Sequence, residues 1–158
     1  MSFPALLFKL ILAGGLLVGG GMGALAADGH DHGHSRHASG LTLNKGAKWR
    51  TDAPLRQGMQ AIRDDVALLL PRLREGTLPK EDIGRLADKI DHHVQFMVAN
   101  CKLPPEADGQ LHIVIGHIAE GAEGMKKGKE GRKAVEAVIE ALDAYARHFD
   151  HPGWKPPA

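Results

Sequence analysis

From residue 51 onward the apolar positions step by three and four, the spacing of amphipathic helices and not of strands. Thr51 and Asp52 are good N-caps and Pro54 suits a first turn, so a helix starts there on the stripe Leu55, Met59, Ile62, Val66, Leu69 and Leu73. Pro71 is expected to kink that helix or end it early, and Gly76-Thr77-Leu78-Pro79 to form the following turn. A second helix is predicted over 80–101 on Ile83, Leu86, Ile90, Met97 and Cys101. Pro104-Pro105 breaks the chain and opens a third helix, with Glu106 in a first turn where an acid suits the helix dipole. Its buried set is Leu111, Val114, Ile115, Ile118, Ala122 and Met125, and the lysine-mixed glycines from Gly121 to Gly131 are expected to loosen its end and make the connection. A fourth helix buries Val135, Val138, Ile139, Leu142, Ala146 and Phe149 until Pro152-Gly153 stops it. No stretch alternates strongly enough to be a strand in a sheet. The pattern predicts an all-α protein, an antiparallel up-down-up-down four-helix bundle over 51–151. An extended lead-in, 41–50, lays Leu41, Leu43 and Trp49 across the core, and 152–158 form a tail.

The beginning of the chain follows another pattern. Lys9 precedes an apolar, glycine-rich run that ends in Ala24-Leu25-Ala26, with small residues where signal peptidase reads them. The run from Leu10 to Ala27 is only 18 residues long and no basic stop-transfer follows, so 1–26 reads as a cleavable secretory signal. The expected location is the periplasm, with no membrane attachment after cleavage.

Composition then narrows the function. A chain of 158 residues allows one main domain, and a formal charge of +1 removes the electrostatic case for a nucleic-acid partner. Aromatics are 4 % of the chain, so the core has to be aliphatic. Its single Cys cannot close an intrachain disulfide, whereas it carries ten His. Four of these, His30, His32, His34 and His37, fall within eight residues and are interleaved with Gly and Asp. Such a segment cannot build a core, so 27–40 is expected to be a disordered arm. Neutral imidazole is the commonest metal ligand, and a flexible strand can wrap several rings around Cu(II), Ni(II) or Zn(II).

The bundle adds a second set of candidate ligands. At 100° per residue His93 lies about 50° from the apolar stripe of its helix, while His92 points away from it. His112 lies about 100° off its stripe, at the margin of the core. In an up-down bundle the start of helix 1, the end of helix 2 and the start of helix 3 share one end. Met59, His93, Met97 and His112 then lie within about 6–12 Å of that end, with Cys101 nearer the rim. Sulfur with imidazole suits Cu(I). No nucleophile–base pair, phosphate loop or carboxylate pair on an apolar face points to an enzyme.

This organisation resembles the periplasmic cytochrome c-prime superfamily and its soluble b-type haem relative over about residues 50–150. Met59 matches the Met near the start of helix 1 in those families. His148, within Ala144-Tyr145-Ala146-Arg147-His148, is the nearest match to the axial His at the end of helix 4. The c-type Cys-x-x-Cys-His motif is absent, which excludes covalent haem. The resemblance implies non-covalent haem and electron transfer as the alternative to direct metal binding. A metal-free sensor or adaptor using Cys101 is a third reading. The leading expectation is a periplasmic metal-binding protein, chiefly for copper, that sequesters or delivers ions. Its partners would be metal ions and a metal exporter or chaperone, and a homodimer is a further expectation.

Overall fold

A computed structural model describes residues 40–128 and 130–157. The expected export signal and the expected arm up to residue 39, including His30, His32, His34 and His37, lie outside the described residues. The chain runs β1 (Trp49–Arg50), α1 (Ala53–Glu75), α2 (Lys80–Asn100), α3 (Pro105–Lys127), α4 (Gly131–His148) and β2 (Phe149–Asp150). Consecutive helices pack side by side, and α1 closes more sparsely on α4, giving the antiparallel four-helix bundle that the periodicity predicts.

Local chemistry sets the helix ends. Asp52 caps α1, its side chain accepting from the Leu55 amide at 2.9 Å. Gly76 stops α1 in the left-handed region, where its amide reaches the carbonyls of Arg72 and Leu73. Pro71 does not end the helix early: α1 continues through it to Glu75. Leu70 and Leu73, both buried, hold that last turn against the core while the proline ring faces solvent. Leu70 thus takes the buried position expected of Leu69, which is only half-buried. Ile115 and Ile139 are likewise partly buried, and Ala141 and Tyr145 line the core in α4.

The expected loosening of α3 from Gly121 does not occur, because the helix runs on to Lys127 and ends at Gly128. Gly121 and Gly124 instead let α3 approach α4. A Cβ on Gly121 would stand 2.5 Å from Val138 Cγ2 and 3.1 Å from the Ala134 carbonyl oxygen. Gly58 does the same for α1 and α2, since a Cβ there would meet Met97 Cγ at 2.3 Å.

Two short strands were not expected. Phe149 leaves the helical region, and Phe149–Asp150 pairs in parallel with Trp49–Arg50. The lead-in is fastened across the bundle end: Lys48 Nζ donates to the Ala146 carbonyl at 2.7 Å and Thr51 Oγ1 to that of Asp150 at 2.6 Å. Leu41 and Trp49 pack on the core as predicted, but Leu43 stays exposed beside a tight turn over 44–47. The tail packs too. Trp154 lies against the Tyr145 ring, and the Lys155 carbonyl accepts from Arg63 Nε of α1 at 2.8 Å. No helix among the described residues is long and apolar enough to cross a membrane.

Candidate functional site

The five bundle residues with metal-ligand chemistry have different surroundings. Met59 and Met97 are 0 % exposed within the continuous aliphatic core, and the Met97 side chain rests against Gly58. Cys101 follows α2 as its cap residue and is half-buried. Burial, and then the adjacent Asp52 carboxylate, push its thiol up to about 12. At neutral pH this sulfur is therefore a protonated thiol facing a carboxylate and not a thiolate poised for a soft ion. Asp52 is fixed in that position by its two roles, capping α1 and accepting from the Lys102 amide at 2.6 Å.

The imidazoles turn elsewhere. His93 crosses to α1, where its Nε2 stands 3.1 Å from Asp65 Oδ2. The His112 side chain is 67 % exposed, and its Nδ1 lies 2.9 Å from the Asp108 carbonyl of its own helix. Of the five residues expected to surround one soft ion, two are sealed in the core, the thiol is half-buried beside Asp52, one imidazole stands against a carboxylate and one faces solvent. Among the described residues no group of three or more His, Cys, Asp or Glu side chains is placed to hold a metal ion. The two positions matched to haem ligands fare no differently. Met59 is sealed, and the His148 ring bonds the Ala144 carbonyl at 2.7 Å.

Two arrangements escaped the sequence reading. The first is a cleft of about 550 Å³ between α1 and α2, lined by Ala61, Asp64, Asp65, Asp88, Lys89, His92 and His93. Asp65 anchors it: one oxygen takes Lys89 Nζ at 2.6 Å while the other meets His93. The signal was present in the sequence, because Asp65 lies about 40° from Leu69 and 60° from Ile62 around α1, on the flank of the stripe. Asp64 stands beside it, and its bond from Arg63 holds its carboxyl below the usual range.

The second arrangement is an aromatic group at the bundle end. Tyr145 stacks on Phe149, meets Trp154 edge-on and hydrogen-bonds His151 Nδ1 at 2.9 Å. Burial raises the Tyr145 phenol, and burial with the Arg56 charge lowers the His151 imidazole. A bonded phenol and an uncharged imidazole make this a packed closure of the α1–α4 seam.

No protein-family model, curated protein or solved structure matches this chain. What it shares with the cytochrome c-prime-like bundles is a four-helix all-α domain.

Proposed function

We propose that the chain is an exported metal-binding protein that captures Cu(II), and also Ni(II) or Zn(II), on its His-rich arm for sequestration or delivery in the periplasm. One observation carries the reading: His30, His32, His34 and His37 stand within eight residues, directly after a segment of export-signal pattern. The bundle is suited to be the carrier. It is tied off at Asp52, Thr51 and Lys48, and its sulfur atoms are occupied by packing or by a proton. A metal exporter or chaperone would be the recipient.

The test replaces the four arm histidines by Asn in the otherwise intact chain and titrates Cu(II) and Ni(II) against it. Asparagine keeps the arm polar while removing the imidazole donors. The expected result is loss of most bound metal with an unchanged thermal midpoint. Equal metal uptake by the substituted and native chains would overturn the reading and leave the arm as a polar linker.

A further inference from the structure

We propose that residues 151–157 form an acid-released strap across the seam between α1 and α4, closed while the His151 ring is neutral and opened by its protonation. The strap bridges the two adjacent helices that meet most sparsely. On the α4 side the rings of His151 and Trp154 lie against Tyr145, at centroid distances of 5.8 and 5.1 Å. On the α1 side the Lys155 carbonyl accepts from Arg63 Nε at 2.8 Å. A turn at Pro152-Gly153, with Gly153 in the left-handed region, folds Trp154 back to 5.0 Å from the His151 ring.

The direction of one hydrogen bond makes the strap sensitive to a proton. Tyr145 is 0 % exposed, and His151 Nδ1, at 2.9 Å, is the one hydrogen-bond partner of its hydroxyl among the described residues. A neutral ring with its proton on Nε2 offers Nδ1 as acceptor, and the phenol donates. Protonation turns Nδ1 into a donor. The phenol oxygen must then accept, and its own hydrogen is left in a buried place with no acceptor, a costly state for a polar group. The charges around the pair do not offset this. Arg56 of α1, held by its bonds to Thr51, sets a like charge near the imidazolium and, with burial, lowers the His151 imidazole. Asp52 at the start of α1, Asp150 of β2 and the Cys101 thiol after α2 act on the phenol, and among the described residues no carboxylate pairs with His151.

Little else holds the strap closed. Trp154 is only partly buried, and its indole N–H is enclosed without an acceptor among the described residues, a cost that release into water removes. Arg63 keeps Asp64 as its ion partner when the Lys155 carbonyl leaves. The Trp49–Phe149 pairing and the Thr51–Asp150 bond lie before His151 in the strand and do not depend on its charge. Acid therefore frees the strap and keeps the bundle, uncovering the Tyr145 ring at the end of the α1–α4 seam.

The test labels the intact chain with fluorotryptophan, giving two fluorine resonances that Trp154→Phe assigns. The solvent exposure of each is read from its isotope shift between light and heavy water, with helical ellipticity followed in parallel. Between about pH 7.5 and about pH 5 the docked-to-released ratio should fall, by up to about 10-fold per pH unit below about 6.5. The Trp154 resonance should gain the isotope shift of a free indole, while the Trp49 resonance and the ellipticity stay unchanged. In His151→Asn and His151→Leu, whose side chains carry no charge at any pH, the exposure of Trp154 should not change with pH. A Trp154 resonance still shielded in acid, exposure of Trp49 and loss of ellipticity in step with Trp154, or pH-dependent exposure that persists in either His151 variant would each overturn the proposal.

Discussion

Replacing Gly121 by Ala tests the packing of α3 on α4 with one methyl group. The added carbon would stand 2.5 Å from Val138 Cγ2, with the Ala134 carbonyl oxygen at 3.1 Å and the Val138 amide nitrogen at 3.5 Å behind it. Carbon atoms in contact settle at about 3.5–4.0 Å, so at least about 1 Å of room is missing. Val138 cannot easily supply it. A β-branched side chain in a helix has one strongly preferred rotamer, and Val138 is 0 % exposed. The helices have to separate instead, and overpacking of this kind costs about 1–3 kcal/mol. Alanine's better helix propensity returns about 1 kcal/mol. The net expectation is a loss of up to about 2 kcal/mol, or a drop of up to about 15 °C in Tm for a domain of this size. Gly116, in the same helix, is the control: nothing lies within 4 Å of the Cβ it would gain. There the substitution should stabilise by about 0.5–1 kcal/mol. Thermal and urea melts followed by helical circular dichroism compare the two. If Gly121→Ala melts as high as Gly116→Ala, the close approach of α3 and α4 is refuted.

Two further expectations concern titration. With its folded value raised to about 12, the Cys101 thiol holds its proton more tightly in the native state than in the unfolded chain. Stability should therefore decline as pH rises above the unfolded value of 9.0. At mild alkaline pH its alkylation should be at least about 100-fold slower than that of a small-molecule thiol. Asp52→Asn, which keeps the cap but removes the charge, should speed it, and an unchanged rate would exclude Asp52 as a cause. His151 has the opposite sign. Its folded value is lowered by burial and by Arg56, so the unfolded chain protonates first, and stability should fall as pH drops below about 6.5. His151→Leu should flatten that acid slope in urea melts followed by Trp fluorescence; a slope as steep as the parent's would place the acid sensitivity elsewhere.

The helices were legible because their cores are written in a period that only one structure satisfies. Leu55, Met59, Ile62 and Val66 occupy the buried face that their spacing assigns them. What periodicity could not give was direction across the gap between helices. His93 lies on the core flank, as the wheel places it, but its ring belongs to Asp65, a residue 28 positions away. Cys101 and Met97 share a stripe, yet burial beside Asp52 governs the thiol and Gly58 accommodates the thioether. The glycines of α3 misled for a related reason. As a local property, glycine predicts a weak helix; as a contact property, Gly121 predicts a close one. The sequence pattern marks the tail only as a stop, although Trp154 is one of two tryptophans in a chain poor in aromatics and packs on the core.

The pairing of Trp49 with Phe149 joins residues exactly one hundred positions apart in a sheet of only two residues per strand. Helix–helix contacts between sequence neighbours form over short loops and can assemble early. This clasp cannot, because its partners, distant in the chain, meet in space only once α4 has docked. It is therefore a late contact in folding, and late contacts govern how fast a native chain opens more than how fast it forms. The expected effect of so small a strand pair is that of a kinetic lock, holding the lead-in to the end of α4 and lengthening the lifetime of the folded bundle.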